Sequence, residues 1–422
     1  MKIDKPVNGN YCGTVVEIKN IIPLENCDNV VATNIFGFQA IVSKDTKIGD
    51  VGIIFPAETQ LSDEYCYENN MYRHADKNRD GDEGLRGYIE DNRRVKAIKF
   101  RGHNSSCLFV SLDSLAFTKI DKDLFSVGDE FDALNGKEIC RKYEVFTRSQ
   151  RGGATAATKK FVRVESMHMP EHFETSQFHK WGHEIPDDKE VVITQKLHGT
   201  SIRIGHTIVK RKFNFIENIL SKLGVQILPH TYDYVFGSRK VIKDVNNPYQ
   251  DHYYSVDIWS QEGKKLQGLL PENYLVYAEL VGYTNEGAAI QKDYTYSIDK
   301  GTCELYVYRI SIVNSQGHMT DLTWSQVKDF CNSVGIKHVP ELTVVKKSDL
   351  KIEDFMDKRY FESGYKNCLY LGKNDMVDEG VCIRVEGMTP KIYKAKSPLF
   401  FEHESAVLDS GEEDLESTQT HG

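Results

Sequence analysis

The chain has 422 residues, of which 40% are hydrophobic and 27% charged, with 31 glycines and 11 prolines. This composition is typical of a globular protein of two or three domains, and it excludes collagen-like, low-complexity and disulfide-scaffold proteins. The 53 basic and 62 acidic residues give a net charge of −9. A uniformly basic surface is therefore excluded, and nucleic acid would have to bind at local patches.

The cysteines and the apolar residues indicate where the protein acts. The nine cysteines are scattered and include no Cys-x-x-Cys pair, which predicts reduced thiols rather than a zinc ribbon. The first residues have no apolar signal core, and no stretch reaches the roughly 20 apolar residues of a membrane span. We expect a cytoplasmic protein that needs no membrane, acts as a monomer and has no obligate protein partner.

Residues 1–140 have the pattern of short strands separated by turns. The expected strands are 13–18, 30–43 with a break at Gly37, 51–56, 94–101 and 108–112. Five such strands predict a small OB-like β-barrel that binds nucleic acid, although the pattern also fits other all-β modules. The strongly polar stretch 63–91 between them is expected to be a surface loop.

Charge is concentrated at two places along the chain. Residues 137–163 carry eight basic and two acidic residues, a local charge of +6, whereas 402–422 carry seven acidic residues and no Lys or Arg. The basic segment could hold a phosphate backbone or be a solvated linker that its charge keeps extended. The residues expected to contact nucleic acid are Arg148, Arg151, Lys159 and Lys160. The acidic end, 401–422, is predicted to be disordered.

Beyond residue 165 the chain is rich in strands, with helices expected at 324–334 and 351–362. A first candidate for chemistry is Lys196, which follows the apolar strand 191–195 and precedes Gly199 by three residues. A lysine at the end of a buried strand is a candidate nucleophile, because burial favours its uncharged form. The alternative is a surface lysine at a hairpin.

Two carboxylates belong to apolar strands. Glu279 is the one charge in the strand 274–282, and Glu379 starts the strand 379–385 on the same face as Val381 and Ile383. A buried carboxylate costs several kcal/mol unless it is paired or bound to metal. Glu279 is therefore either part of a site or one half of a structural salt bridge.

Lys394 and Lys396 are two residues apart and hence share one face of a strand. Two neighbouring cations repel each other unless an anion such as a triphosphate lies between them. An exposed edge strand protected by lysines is the alternative.

As an ordered set, these segments resemble the motifs of the covalent nucleotidyltransferases, the superfamily of DNA ligases, RNA ligases and mRNA capping enzymes. The matching segments are 196–199, 278–282, 306–310, 379–384 and 394–396. The barrel precedes the motifs and only 397–422 follow them, an order similar to that of the ATP-dependent RNA ligases of the Deinococcus and Naegleria type. The resemblance implies an α+β fold: an OB-like domain at 1–140, a linker at 141–165, and a nucleotidyltransferase domain at 166–400 built on antiparallel sheets with flanking helices.

The resemblance also implies a reaction in three steps. Lys196 attacks the α-phosphate of ATP, the AMP passes to a 5′-phosphate, and a 3′-OH displaces it. The implied substrate is RNA or an RNA-containing nicked duplex, as in RNA repair. A DNA ligase, a capping guanylyltransferase or a non-catalytic nucleic-acid-binding protein with the same fold are the alternatives.

The resemblance assigns roles to individual residues. Those implied to bind the nucleotide are Lys196, Gln195, His198, Gly199, Arg239, Glu279, Tyr308, Glu379, Lys394 and Lys396. Glu279 and Glu379 would hold Mg²⁺ or Mn²⁺, and Arg239 would also contact nucleic acid. Tyr308 would stack on adenine, but Tyr306 shares its strand face and remains open. His198 stands where many ligases have Asp, and His172, His179 and His183 are interpreted as surface and packing residues.

Overall fold

The computed structural model describes residues 3–82, 84, 86–144, 163–243, 254, 256–372 and 375–409. Arg148, Arg151, Lys159 and Lys160 lie outside the described residues. The chain forms two compact units. For the residues described, unit 1 draws on the ranges 1–145, 176–184 and 395–414, and unit 2 on 146–175, 185–394 and 415–422. The predicted linear domain boundaries remain a prediction.

The first 145 residues contain mostly short strands. These elements are β1 (Gly13–Glu17), β2 (Ile22–Pro23), β3 (Val30–Ile35), β4 (Phe38–Ser43), β5 (Val51–Pro56), β6 (Thr59–Leu61), α1 (Asp63–Glu68), β7 (Ile98–Phe100), β8 (His103–Ser105), β9 (Cys107–Ser111), β10 (Glu130–Phe131), β11 (Ala133–Leu134), β12 (Lys137–Glu138) and β13 (Cys140–Lys142).

The rest of the chain has longer strands and most of the helices. These elements are β14 (Ser176–Gln177), α2 (Phe178–Trp181), β15 (Glu190–Gln195), β16 (Thr200–Lys210), α3 (Phe215–Lys222), β17 (His230–Ser238), α4 (Ile258–Lys264), β18 (Tyr274–Gly282), β19 (Cys303–Val313), β20 (Met319–Asp321), α5 (Trp324–Val334), β21 (Lys337–His338), β22 (Glu341–Lys346), β23 (Gly380–Val385), β24 (Lys391–Lys396) and α6 (Pro398–Asp409).

Strand β5 organises the core of unit 1. It is the strand predicted at 51–56, and it lies in a sheet of order β10-β1-β5-β9, while β2, β3 and β4 form a second sheet. Successive side chains of a strand point to opposite faces, so Ile53 and Phe55 pack into one hydrophobic cluster and Ile54 into another. The pairings of β5 with β1 and β9 are antiparallel. An OB-like barrel built from these sheets remains a prediction.

Part of the stretch 63–91 belongs to the core of unit 1, so its interpretation as a surface loop was wrong there. Ser62 accepts a hydrogen bond from the Tyr65 backbone N–H at 3.1 Å and caps α1. Tyr65 and Cys66 are fully buried in the same cluster as Met71 and Ile89. The high average polarity of the stretch conceals these few apolar residues.

The predicted disorder from residue 401 onward was wrong for residues 401–409, which belong to α6. Phe400 and Phe401 are buried, and the Phe401 ring packs edge-on against Phe38 at 6.3 Å. The charge of Asp409 is paired with that of Arg94. The two buried phenylalanines and the ion pair of Asp409 therefore order this segment, although its composition is acidic. Residues 410–422 lie outside the described residues.

Unit 2 contains two largely antiparallel sheets. One has the order β17-β16-β18-β19-β20, with β21 added in parallel to β19, and the other includes β24, β23, β15 and β22 in that order. Strand β18 is buried along almost its whole length, as its apolar sequence predicts. The α+β fold with antiparallel sheets and flanking helices is thus confirmed. No helix of the described residues is both long and apolar enough for a membrane span.

The two helices expected in unit 2 differ in outcome. Helix α5 has the predicted bounds, begins with a capping box of Thr323 and Gln326, and ends at Gly335 in the left-handed region (φ 72°). The stretch 351–362 instead contains only a short 3₁₀ turn, Ile352–Phe355. Asp357 has φ 54°, a conformation that interrupts a right-handed helix.

Candidate active site

Lys196 lies at the point where the chain leaves one sheet of unit 2 for the other. It follows the last residue of β15, and its backbone N–H donates at 2.9 Å to the carbonyl of Gly380, the first residue of β23. Its Nζ is 2.6 Å from Oε1 of Glu379. The Lys196 side chain is 13% exposed and that of Glu379 is 0% exposed. The ammonium therefore faces a fully buried carboxylate while remaining accessible itself.

His198 contacts the same carboxylate from another direction. Its Nδ1 lies 3.8 Å from Oε2 of Glu379, and its ring packs edge-on against Tyr294 at 4.9 Å. Its backbone N–H donates to the Tyr296 hydroxyl at 2.7 Å, and burial raises the pKa of Tyr296. These contacts hold His198 next to Glu379.

Glu279 and Gly199 depend on the close approach of neighbouring strands. Glu279 is opposite Ser201 in the pairing of β16 with β18, and the Ser201 hydroxyl donates to its Oε2 at 3.2 Å. A Cβ on Gly199 would lie 2.1 Å from the Leu280 carbonyl oxygen and 3.0 Å from Cγ of Glu279. Only glycine fits there, and a larger residue would displace the strand that carries Glu279.

A cavity in unit 2 brings several of the predicted residues together. Those that line it are Gln195, Lys196, Arg239, Glu279, Tyr308 and Lys394. Leu197, Val339 and Ile392 give it an apolar wall. His198, Gly199, Glu379 and Lys396 are not among its lining residues. The cavity combines an apolar surface with cations and a carboxylate, an arrangement suited to a base joined to phosphates.

Lys394 and Lys396 make different contacts. Both belong to β24, but the boundary between the two units falls directly after Lys394. The Lys396 ammonium is buried and pairs with Glu404 of α6 at 3.1 Å, within unit 1. The Lys394 ammonium instead contacts Glu174 at 3.1 Å, within unit 2. The two lysines therefore have different carboxylate partners, a difference that their shared strand face does not reveal.

A β-bulge separates Tyr308 from Tyr306. Along β18 and β19, Tyr277 pairs with Arg309 and Ala278 with Val307, so Tyr308 is the extra residue of β19. Tyr308 lines the cavity, where burial and the negative charge of Glu279 raise its pKa. The Tyr306 hydroxyl instead donates to Glu304 at 2.5 Å. Strand alternation alone could not distinguish the two tyrosines.

Hydrogen bonds to Asp378 and Leu369 fix the side chain of Gln195. Its Nε2 donates to Asp378 Oδ1 at 2.7 Å and to the Leu369 carbonyl at 3.2 Å, and its Oε1 accepts from the Leu369 backbone N–H at 2.7 Å. Asp378 also accepts from the Tyr360 backbone N–H at 2.7 Å, and burial raises the pKa of Asp378 to about 6. Asp378 thus orients the residue before Lys196, although it was not among the residues predicted for the site.

His172 lies at the cavity, whereas the sequence suggested a surface or packing residue. Its ring packs against Tyr308 at 5.1 Å, and its Nδ1 accepts from Arg309 at 3.3 Å. Burial, followed by the positive charges of Arg309 and Arg239, lowers the pKa of His172 well below its usual value. The ring is therefore neutral at the edge of a cationic region.

Three comparisons with known proteins bear on this site. Residues 189–396 match the family model described as RNA ligase. No curated protein sequence matches the chain significantly. The fold is similar to solved structures of an RNA ligase from Naegleria gruberi, and at these identities the likeness concerns the fold.

One such structure, a lysine-to-alanine mutant with ATP and manganese, is 16% identical with a TM-score of 0.59, covering 93% of this chain and 98% of that one. A second, an apo mutant, is 15% identical with a TM-score of 0.60 over the same shares of the chains. A third, with pyrophosphate, is 15% identical with a TM-score of 0.59, covering 95% and 100%.

Proposed function

Residues 189–396 of this chain belong to the RNA ligase family, and we propose that the protein joins RNA ends with ATP through a covalent lysyl-AMP intermediate. The observation that carries this proposal is the position of Lys196. Its Nζ contacts a buried carboxylate, and its side chain lines a cavity that also presents Glu279, Arg239 and Lys394. A nucleophile, two cations and two embedded carboxylates are the groups that transfer of a nucleotidyl group needs.

In the first step, Lys196 Nζ attacks the α-phosphorus of ATP. An N–P bond forms, the bond from the α-phosphorus to the bridging oxygen breaks, and pyrophosphate leaves with that oxygen. The attacking amine must first give up a proton, and the proposed acceptor is Oε1 of Glu379, which lies 2.6 Å away. Lys394 supplies positive charge for the phosphate oxygens.

The second and third steps use the same cavity. A 5′-phosphate oxygen displaces Lys196 from the AMP phosphorus, and a 3′-OH then displaces AMP to form the phosphodiester. Each step is an in-line displacement at phosphorus, so positioning and neutralisation of charge dominate catalysis. Arg239 contributes a second cation to the lining of the cavity and would contact the nucleic acid.

The carboxylates fit a divalent metal ion such as Mg²⁺ or Mn²⁺. Glu279 and Glu379 offer the hard oxygen donors that these ions prefer, and both are buried. The described residues contain no group of three or more His, Cys, Asp or Glu that could hold a metal by itself. Phosphate oxygens and water would therefore complete the coordination. An ion bound there would neutralise charge on the α-phosphate.

The proposed substrate is a 3′-OH/5′-phosphate nick in an RNA-containing duplex. The support is the family resemblance, in which a β-rich N-terminal region precedes the ligase domain. Arg148, Arg151, Lys159 and Lys160 remain the candidate contacts to the phosphate backbone. An assay of nick sealing across RNA and DNA strand combinations tests this substrate, and preferential sealing of all-DNA nicks would favour a DNA ligase instead.

Covalent labelling tests the central proposal. Incubation with α-labelled ATP and Mg²⁺ or Mn²⁺ should label the wild-type protein, and Lys196→Ala should abolish the label because it removes the attacking nitrogen. Lys189→Ala is the matched control, since Lys189 is an exposed lysine just before the same strand. Label on the Lys196→Ala protein would contradict the proposal. Labelling by GTP in preference to ATP would point to a capping-type enzyme.

A further inference from the structure

Glu174 connects two cations of the cavity. Its Oε2 accepts from Nη2 of Arg239 at 2.5 Å, and its Oε1 accepts from Nζ of Lys394 at 3.1 Å. Each carboxylate oxygen thus faces one cation. A phosphate group presents pairs of oxygens to arginine and lysine in the same manner, so the carboxylate lies where a phosphate could bind.

The residues before Glu174 are anchored by aromatic contacts. Arg309 lies over the Phe173 ring at 4.4 Å, and the His172 ring packs against Tyr308 and Tyr277 at 5.1 Å and 5.7 Å. The Arg309 guanidinium pairs with Asp321 at 2.7 Å. The backbone that carries Glu174 is therefore held at the cavity by packing, independently of the contacts that the carboxylate makes.

The three charged groups differ in exposure. The Lys394 side chain is 9% exposed and that of Arg239 21%, whereas that of Glu174 is 34% exposed. Ion pairs with a partly exposed partner are weak, because water and salt screen them. The Glu174 carboxylate can therefore be displaced by a more highly charged anion, while Arg239 and Lys394 stay within the cavity.

We propose that Glu174 is an internal competitor for phosphate: in the ligand-free protein its carboxylate occupies the anion site formed by Arg239 and Lys394, and the phosphates of the nucleotide displace it. This inference rests on the proposed function in taking the ligand to be a nucleoside triphosphate. Glu174 then sets the affinity of the cavity for polyphosphate, since each ligand binds only to the fraction of protein in which the site has been vacated. Multiply charged phosphates displace it more readily than singly charged anions.

Binding of inorganic pyrophosphate tests the inference, because it involves no transfer of AMP. By isothermal titration calorimetry, Glu174→Gln should bind pyrophosphate about three- to tenfold more tightly than the wild type, a factor expected from two partly exposed ion pairs. Glu174→Ala should show the same direction. Thermal unfolding of each variant first establishes that it is folded.

Glu171→Gln is the matched control. It removes the same charge from an exposed residue of the same segment, so it reports the loss of one negative charge without the two ion pairs of Glu174, and it should change the affinity by less than about twofold. Unchanged or weaker pyrophosphate binding by Glu174→Gln would overturn the inference. An equal gain in pyrophosphate affinity in both variants would also overturn it, because the gain would then come from the change in net charge alone. If the wild type formed no covalent AMP, the proposed function would fail. The comparison of pyrophosphate affinities would still test the inference, because it involves no transfer of AMP.

Discussion

At the scale of single residues, neighbours decide which protonation state a side chain adopts. His172 is surrounded by the charges of Arg309, Arg239 and Lys394, and burial together with these charges lowers its pKa. Glu174 acts in the opposite direction but is the weaker influence. The folded protein therefore keeps His172 neutral under conditions in which the unfolded chain would bind a proton.

Because His172 stays neutral in the folded protein, the free energy of unfolding is sensitive to acid. Below about pH 6.5 the unfolded chain protonates His172 and the folded protein does not, so the free energy of unfolding falls by up to about 1.4 kcal/mol per pH unit. Above that pH the residue contributes no pH dependence. His172→Asn keeps an acceptor for Arg309 and should lose this component. Urea unfolding at pH 7.5 and 5.5 measures it, and identical pH dependence in both proteins would contradict the expectation.

At the scale of elements, an irregularity in one strand positions an aromatic ring. The bulge in β19 leaves Tyr308 without a partner residue on β18 and directs it to the cavity, while Tyr306 remains paired opposite Glu279. Bulges commonly re-aim side chains next to active sites. The role of Tyr308 in stacking on adenine remains a prediction. Because the bulge gives Tyr308 and Tyr306 different surroundings, substitution of each tyrosine can test it.

Substitution of the two tyrosines should separate their roles. Tyr308→Leu removes a stacking partner worth about 0.5–1.5 kcal/mol, so the ATP concentration for half-maximal covalent labelling should rise about three- to tenfold. Tyr306→Phe removes only the hydroxyl that donates to Glu304 and should leave that concentration unchanged. Labelling measured over a range of ATP concentrations checks both variants. The reverse ranking would assign the stacking to Tyr306.

At the scale of the whole molecule, segments distant in sequence complete each unit. In unit 1, α6 brings Asp409 to Arg94, whose guanidinium also pairs with Glu58 at 3.2 Å. Arg94 is 1% exposed and Glu58 is 8% exposed. The Asp409 side chain is 42% exposed, so water screens its contact with Arg94, and the buried Phe400 and Phe401 are the stronger anchors of the helix. The helix that follows the last motif is therefore part of the structure of unit 1.

Two truncations test the role of α6. A chain ending at Asp409 should unfold at the same temperature as the full chain, because it keeps the helix and the contact with Arg94. A chain ending at Ser397 loses the burial of Phe400 and Phe401, worth about 1.5–3 kcal/mol each, and should unfold several degrees lower. Differential scanning calorimetry compares them. Equal midpoints for all three chains would show that the helix contributes nothing to stability.

Much of the molecule could be predicted from the order of residues along the chain. Strand 51–56, helix α5 and the buried strand around Glu279 follow from apolar periodicity and capping residues, which act over a few positions. The motif order from Lys196 to Lys394 indicated the RNA ligase family, which the match over 189–396 confirms. The roles of the individual site residues remain predictions.

Only the tertiary structure revealed which of these residues share a cavity. Glu174 contacts a lysine 220 positions later, Lys394 and Lys396 have carboxylate partners in different units, and Tyr308 leaves the alternation of its strand. Local patterns report the period of an element and the residues that cap it. They carry no information on which distant segment packs against it, and that packing sets the charge, orientation and access of each side chain.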